Sequence, residues 1–289
     1  MGIIHIENLD DVVLSPYARL TERQLQSRLH PEEGVFICES MKVIRVALEH
    51  GMQPVSFVCE EKFLEGVNAL MCECGSDVPV YTAPREVLKG LTGYELSRGV
   101  LCAMRRPALP SVEAVLCSRP SGEIHRSKNG IDLSITPQAG DNVVRRVAVL
   151  DGVVNSENTG AIFRAAAALG IDAVLLTRTC CDPLNRRACR VSMGTVFQLP
   201  WTFLDHYMQL KDCGFQTVAM ALTDRSVPIG DPSLRGIDRM AIILGTEGDG
   251  LSDSVLRQCD HVARIPMQRG VDSLNVAAAA AVAFYELTK

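Results

Sequence analysis

The chain has 289 residues, 47% of them hydrophobic, and a formal net charge of −5. At about 150 residues per domain this length predicts two domains, and the composition excludes a disordered or fibrous protein. The acidic charge excludes a nucleic-acid binder that relies on bulk positive charge, but it leaves room for a local basic patch.

The sequence indicates neither a membrane protein nor a secreted one. Its apolar runs are far shorter than the roughly 18 residues of a membrane span, and residues 1–11 are acidic, unlike a signal peptide. Its 11 cysteines form no repeating framework, so we expect reduced thiols. Cys180, Cys181 and Cys189 lack the spacing of a zinc site, and we predict no metal. The predicted location is the cytoplasm.

Strand and helix patterns alternate in the first part of the chain, which we predict to be a compact α/β domain over residues 1–110. The helix Ser40–His50 places Met41, Ile44, Ala47 and Leu48 on one face. Short runs rich in β-branched residues predict the strands Val35–Cys38, Val55–Cys59, Val78–Tyr81 and Val100–Ala103.

Residues 111–145 are rich in Pro, Ser, Gly and Asn, and we predict a linker with a short helix at Ser111–Cys117. Charge is unevenly placed here: residues 98–146 hold 8 Lys and Arg against 4 acids. A second basic cluster consists of Arg178, Arg186, Arg187 and Arg190. Composition alone favours solvated loops, and the alternative is two patches that contact phosphates.

After residue 146, strands and helices alternate more strictly, which predicts a parallel sheet covered on both faces. The predicted strands are Arg146–Leu150, Ala173–Leu176, Thr217–Leu222, Met240–Leu244 and His261–Ile265. The predicted helices are Thr159–Leu169, Thr202–Asp212 and Leu274–Leu287. Ligands of such sheets bind at the carboxyl ends of the strands, so we expect the chemistry there.

The first polar strand end runs from Asp151 to Arg164. Asn158 or Thr159 is a candidate helix cap. Arg164 is a lone charge on a helix of small residues, which suits an arginine delivered into a pocket or across a subunit interface. A plain surface arginine is the alternative, and the residues alone do not decide between the two.

Two further strand ends carry candidate binding residues. Leu244–Leu251 has three glycines in six positions, which lets backbone amides approach a ligand. Glu247, at the centre of this segment, either forms hydrogen bonds with ribose hydroxyls or with an amine, or is an exposed loop acid. In Ile265–Val276, Ser273 is a natural N-cap, and Asn275 holds either a hydroxyl or local backbone. The alanine-rich helix that follows has little bulk and suits a close passage of chain segments.

These three motifs in this order resemble the SpoU/TrmH family, within the SPOUT superfamily of RNA methyltransferases. The resemblance covers residues 146–289 and implies a parallel α/β domain with a deep trefoil knot. It also implies S-adenosylmethionine as methyl donor, a homodimer, and methylation of a ribose 2′-hydroxyl in RNA. Residues 1–110 resemble, more loosely, the family's RNA-binding substrate domain, and this extra domain favours ribosomal RNA over tRNA.

The resemblance also implies residue roles. Arg164 activates the 2′-hydroxyl, reaching across the dimer, and Asn158 positions the target nucleotide or Arg164. Glu247, Ser273 and Asn275 hold the ribose and orient the reacting groups. The implied cofactor-binding residues are Leu244, Gly245, Gly250, Ile265, Met267 and Leu274. The expected RNA contacts are Arg178, Arg186, Arg187 and Arg190.

Two positions depart from the family pattern: Arg269 replaces a usual glycine, and Ala277 replaces a frequent serine. Two other functions compete with methyl transfer. One is a non-catalytic RNA-binding or ribosome-assembly factor on the same fold, but such a protein does not need all five candidate catalytic residues. The other is a nucleotide-dependent oxidoreductase, for which the dinucleotide fingerprint is missing.

Overall fold

The structure of the protein is a computed structural model that describes residues 2–6, 12–18, 21–27, 33–92, 99–117, 126–127, 130–131 and 143–289. The chain divides into two compact units. The first unit comprises residues 1–108, 123–134 and 184–197. The second comprises residues 109–122, 135–183 and 198–289.

The secondary structure is numbered in chain order over the described residues. The strands are β1 Ile3–His5, β2 Val35–Glu39, β3 Pro54–Cys59, β4 Val80–Thr82, β5 Val100–Arg105, β6 Arg126–Ser127, β7 Gly130–Ile131, β8 Arg146–Leu150, β9 Ala173–Leu176, β10 Trp201–Phe203, β11 Gln216–Met220, β12 Val227–Pro228, β13 Met240–Leu244 and β14 His261–Arg264. The α-helices are α1 Ser15–Ala18, α2 Glu22–Gln26, α3 Met41–Glu49, α4 Leu64–Cys74, α5 Arg85–Thr92, α6 Val112–Cys117, α7 Ser156–Ala168, α8 Arg186–Val191, α9 Met208–Asp212, α10 Pro232–Arg235, α11 Asp253–Gln258 and α12 Val276–Leu287.

The first unit is built on a five-stranded sheet in the order β1-β4-β3-β5-β2. Strand β5 runs antiparallel to both of its neighbours, whereas β1, β4 and β3 are mutually parallel. The predicted apolar face of α3 is buried at Ile44, Ala47 and Leu48; Val43 is buried with them, whereas Met41 is only half-buried. The hydroxyl of Ser40 starts this helix by accepting the N–H of Val43 at 3.4 Å.

The second unit is built on a seven-stranded, wholly parallel sheet in the order β10-β9-β8-β13-β11-β14-β12. Central strand β13 is buried along its whole length, and so are the last four residues of β8, as expected where helices cover both faces of a sheet. These two strands lie side by side, with Leu150 opposite Leu244. The segments that follow them therefore start next to each other, and Asp151 donates its N–H to the carbonyl of Leu244 at 2.8 Å.

The structure corrects the prediction of a helix over Thr202–Asp212. Residues Trp201–Phe203 form β10, which pairs in parallel with β9, and the helix begins only at Met208. Trp201 and Thr202 are both buried, so this segment lacks the exposed face of an amphipathic helix. Aromatic and β-branched side chains also favour a strand.

Two predicted helix starts are wrong because other residues act as caps. Helix α7 begins at Ser156 because Asn155, not Asn158 or Thr159, is its N-cap. Helix α12 begins at Val276 because Asn275, not Ser273, is its N-cap. In both cases the side-chain oxygen of asparagine accepts two backbone N–H groups of the first turn, which have no partner within the helix.

Part of the predicted linker 111–145 is a helix that packs in a hydrophobic core. Helix α6 matches the short helix predicted there, but its Val112, Val115 and Leu116 are buried in the core of the second unit. Most of the remaining linker lies outside the described residues. The domain functions and the trefoil knot stay predictions. No helix among the described residues is both long and apolar enough to cross a membrane.

A single guanidinium ties α6 to the sheet of the second unit. Arg239 donates from Nε to the carbonyl of Val144 at 3.1 Å and from Nη2 to that of Leu116 at 2.9 Å. A third bond joins Nη1 to the carbonyl of Cys213, and the guanidinium lies 4.3 Å from the centroid of the Phe215 ring. Arg239 thus satisfies carbonyls of three segments at once.

We expect Arg239→Gln to lower the free energy of unfolding of the protein by about 2 kcal/mol, because it leaves partly buried carbonyls without donors. Urea denaturation followed by circular dichroism measures the change. The matched control is Arg257→Gln, since Arg257 is exposed on α11. Equal stability of the two variants would contradict this role for Arg239.

Candidate active site

The candidate site lies at the carboxyl ends of strands β8 and β13 and reaches the start of α12. Helix α7 follows β8 after a short turn, and the glycine-rich segment 245–251 follows β13. Helix α12 packs along α7, which brings its first residues to the same place. The three motifs separated in sequence therefore meet in the second unit.

A chain of hydrogen bonds joins the three motifs. Asn158 donates from Nδ2 to Oε1 of Glu247 at 3.0 Å, and its Oδ1 accepts from Nδ2 of Asn275 at 3.0 Å. Asn275 in turn uses its Oδ1 to accept the N–H of Ala277 at 2.9 Å. The side-chain amide of Asn158 thus has one orientation, with its donor towards the carboxylate and its acceptor towards Asn275.

Sequence reasoning missed the fourth member of this network, Asn155. Its backbone N–H donates to Oε1 of Glu247 at 3.1 Å. Its side-chain Oδ1 accepts the N–H groups of Glu157 and Asn158 at 2.8 and 3.3 Å. Asn155 therefore fixes the start of α7 and ties it to Glu247. The available signal was an asparagine in the short segment between a strand and a helix, a residue type that favours the N-cap position.

Hydrogen bonding sets the charge of Glu247. Partial burial raises its pKa, but hydrogen bonds from the Asn158 side chain and from backbone N–H groups, including that of Asn155, outweigh this and lower the pKa below its ordinary value. Glu247 is therefore ionised at neutral pH, and the network holds a fixed negative charge. A carboxylate that keeps free acceptor capacity suits the binding of ribose hydroxyls.

Two of the predicted catalytic residues do not join this network. Arg164 is exposed on α7 and makes no hydrogen bond or ion pair with any described residue. It lies six residues beyond Asn158, which is about 9 Å along the helix axis and a third of a turn around it. Ser273 is also exposed and has no hydrogen-bond partner within the described part of the chain.

The predicted cofactor loop is shaped by close backbone contact. A Cβ atom at Gly245 would lie 2.4 Å from the carbonyl carbon of Gly250, so only glycine fits there. Gly250 has a φ of +69°, and its carbonyl accepts the N–H of Thr246 at 3.2 Å. The loop therefore turns tightly directly after the buried Leu244 and exposes Glu247 between its glycines.

Apolar side chains are exposed at the same edge of the sheet. Ile265 and Met267 are half-buried after β14, and Leu274 is 40% exposed. Val154 after β8 and Leu222 after β11 are each 65% exposed. Leu222 is the last residue of the strand predicted over Thr217–Leu222, and no role is predicted for it. Exposed apolar groups around a polar network are typical of a site that binds a small organic molecule.

The four arginines predicted to contact RNA do not form one group. Arg178 belongs to the second unit and donates to Oδ1 of Asp205 at 2.9 Å. Arg186 and Arg190 belong to the first unit, where they lie 3.2 and 3.4 Å from the carboxylate oxygens of Glu39. The Glu39 side chain is only 1% exposed, so these two arginines balance a buried charge. Arg187 belongs to the first unit too, and its contact with RNA stays a prediction.

No three His, Cys, Asp or Glu side chains come together as a potential metal site within the ranges that the structure describes. Phe163, Trp201 and Phe203 pack in edge-to-face pairs with ring centroids 6.5 and 6.0 Å apart. The hydrogen-bond network at the carboxyl edge is therefore the strongest candidate for catalysis in the second unit.

Asn158→Asp should place a second carboxylate beside Glu247 and raise the pKa of the pair. Because the folded-state pKa is then above the unfolded value, the penalty is present at neutral pH and is relieved as pH falls towards 5. We expect a loss of about 1 kcal/mol in the free energy of unfolding at pH 7 relative to pH 5. Denaturant titrations across this range measure it.

The control for this experiment is Asn158→Ala, which removes the same donor without adding a charge. Its stability relative to the wild type should change little between pH 5 and 7, because Glu247 keeps its bond from Asn155. Parallel pH profiles for the two variants would show that Asn158 does not face Glu247 as described.

Known proteins are similar to this chain over the residues that carry the three motifs. Residues 145–285 match the model of the SpoU rRNA methylase family. An uncharacterized tRNA/rRNA methyltransferase of Mycobacterium tuberculosis is 34% identical over 97% of this chain and 90% of its own length. A second such protein, from Synechocystis, is 30% identical over 91% of this chain and 88% of its own length.

Solved structures show the same fold at lower sequence identity. An AdoMet-bound rRNA methyltransferase from Sinorhizobium meliloti has a TM-score of 0.75 at 22% identity, over 99% of this chain and 97% of that one. The AviRb methyltransferase from Streptomyces viridochromogenes in complex with AdoMet has a TM-score of 0.72 at 19% identity, over 96% and 97% of the two chains. The α/β fold with a large parallel sheet is thereby confirmed.

Proposed function

The chain belongs to the SpoU rRNA methylase family of RNA methyltransferases, and we propose that it methylates a ribose 2′-hydroxyl in structured RNA, with ribosomal RNA as the substrate. The observation that carries this proposal is the network of Glu247, Asn158 and Asn275 at the carboxyl edge of the sheet. These residues offer both donors and acceptors of the kind that hold a ribose.

The loops at this edge fit S-adenosylmethionine, which would supply an activated methyl group. Residues 247–250 of the glycine-rich loop are exposed, so their backbone is open to a ligand, whereas Gly245 is buried against the backbone of Gly250. Ile265, Met267 and Leu274 offer partly exposed apolar surface for the uncharged parts of the cofactor. AdoMet is bound in two solved structures of this fold, which supports the assignment.

The network would hold the target ribose. Ionised Glu247 accepts hydrogen bonds from ribose hydroxyls, while Asn158 and Asn275 hold the carboxylate and each other in place. Ser273 lies two residues before Asn275 and has an exposed hydroxyl that can bond to the same nucleotide. Such positioning supplies much of the rate of a reaction whose nucleophile must approach to about 3 Å.

Arg164 would activate the 2′-hydroxyl. Its guanidinium would donate hydrogen bonds to the 2′-oxygen, while a neighbouring RNA phosphate accepts the proton that leaves this oxygen. Because it lies about 9 Å along α7 from Asn158, we propose that it serves the site of a second copy of the chain. Val282 and Tyr285 on α12 are 39% and 59% exposed, which supports an apolar interface beside α7.

The first unit would select the RNA. It contains most of residues 1–110, which the sequence predicts to be the RNA-binding domain. Since the net charge of the chain is −5, affinity for RNA must come from local cations rather than from overall charge.

We expect Arg164→Ala to lower methyl transfer by at least about 100-fold, the contribution of a positioned proton-transfer group, while affinity for S-adenosylmethionine stays unchanged. Transfer of a radiolabelled methyl group to RNA from cells that lack the protein gives the rate, and calorimetry gives the affinity. Arg257→Ala, which removes an exposed arginine from α11, is the control and should retain wild-type activity. Near wild-type turnover of Arg164→Ala would contradict the assignment.

Mixing two inactive variants tests the shared site. If Arg164 of one copy serves the Asn158 site of the other, Arg164→Ala and Asn158→Ala proteins should recover about a quarter of wild-type activity when their subunits exchange. Half of the dimers are then mixed, and one of the two sites in each mixed dimer is intact. No recovery, with subunit exchange demonstrated by native mass spectrometry, would place Arg164 and Asn158 in the same copy.

A further inference from the structure

The loop between β14 and α12 contains a tight turn with an arginine in an unfavourable position. Val271 donates its N–H to the carbonyl of Gln268 at 3.2 Å, which closes a four-residue turn. The two central residues, Arg269 and Gly270, have φ angles of +58° and +73°. Two successive positive φ values define a type I′ turn, whose central positions normally carry Asn, Asp or Gly.

Arginine at residue 269 is therefore disfavoured by the backbone. The left-handed conformation brings the Cβ of an L-residue close to the following carbonyl oxygen, and the other central residue of this turn is a glycine. A residue held in such a conformation is a reason to look for a function of its side chain.

Nothing in the described part of the chain offsets this cost. The Arg269 side chain is exposed, and it makes no hydrogen bond or ion pair with any residue that the structure describes. Asp272 is the nearest acidic residue in the loop, and no ion pair joins the two. The guanidinium is thus available to a ligand outside the chain.

The turn belongs to the loop that supplies the candidate site. Three residues after the turn's glycine comes Ser273, and Asn275 then joins the network through its bond to Asn158. Exposure changes where the turn begins: Met267, just before it, is half-buried, whereas Gln268 and Arg269 within it are exposed. Arg269 therefore stands at the solvent side of the loop, where a large anionic substrate approaches.

We propose that Arg269 binds a backbone phosphate of the RNA strand that carries the target nucleotide, and so seats this strand against the network. The inference rests on the proposed function. A guanidinium matches the geometry of a phosphate with two parallel hydrogen bonds, and a fixed turn limits the orientations that its backbone can take. Because the chain is acidic overall, a single cationic contact beside the reacting ribose also favours binding of the RNA with the correct nucleotide in the site.

The test compares Arg269→Gly and Arg269→Lys with the wild-type protein. Glycine keeps the turn and removes the backbone strain of the positive φ angle, whereas lysine keeps both the positive charge and the strain. Filter binding to one structured RNA at salt concentrations from about 50 to 300 mM gives the affinity and the slope of its salt dependence. Calorimetry gives the affinity for S-adenosylmethionine, and thermal unfolding gives the stability.

We expect Arg269→Gly to weaken RNA binding about 3- to 10-fold at low salt and to reduce the salt slope by about 0.7 to 0.9, the loss of one phosphate contact. Its melting temperature should rise and its affinity for S-adenosylmethionine should stay unchanged. Arg269→Lys should keep most of the salt slope. Arg257→Gly is unsuitable as a control because it weakens a helix, so Arg257→Ala serves and should bind RNA like the wild type.

Unchanged RNA affinity and salt slope in Arg269→Gly would overturn the proposal, and so would a loss confined to S-adenosylmethionine, which would make the cofactor the ligand. The readout does not depend on catalysis. If the wild-type protein transfers no methyl group but the salt slope of Arg269→Gly is still reduced by one phosphate contact, the proposed activity is wrong and the proposed contact is supported.

Discussion

The carboxylate of Glu247 is the point on which the candidate site depends. One of its oxygens accepts both the backbone N–H of Asn155 and the side-chain amide of Asn158. Because these bonds outweigh the effect of partial burial, the pKa of Glu247 is lowered and the group stays charged. The glycine-rich loop after β13 is thereby fixed to the first turn of α7, and the amide of Asn158 carries the connection on to α12.

This arrangement separates positioning from activation. The asparagines form hydrogen bonds with Glu247, with backbone groups at the helix starts and with each other, whereas Arg164 forms none within the described chain. A network without a strongly basic side chain can hold a ribose but has little to assist the departure of its proton. The proposal that a second copy supplies Arg164 follows from this division, since the arginine lies about 9 Å along α7 from Asn158 and does not join the network of its own chain.

The sequence predicts the core of the second unit well because its signal is local. Strands β8, β9 and β13 occupy the predicted residues, since short apolar runs in an α/β chain have few other uses. Helix starts were less predictable: several polar residues near Asn155 and Asn275 can cap a helix, and backbone geometry selects one. The strand β10 is only three residues long, so its strand-favouring residues were hidden in a longer helix prediction that only its pairing with β9 corrects.

Long-range charge pairing escaped sequence reasoning altogether. Residues 184–197 fold with the first unit, where Arg186 and Arg190 balance the buried Glu39, about 150 residues earlier in the chain. Composition leaves these arginines as solvated loop residues or as a phosphate-binding patch, and it predicts no pairing with Glu39. Conversely, the exceptional feature of Arg269 is a backbone angle, which only a three-dimensional structure displays.

The most direct test of the account is to identify the methylated atom. Wild-type protein, labelled S-adenosylmethionine and unmethylated ribosomal RNA are incubated together, and the RNA is digested to nucleosides for mass spectrometry. The account predicts a single 2′-O-methylated nucleoside in which the added methyl group stays on the sugar fragment after the glycosidic bond is cleaved. A methyl group that stays with the base would contradict it.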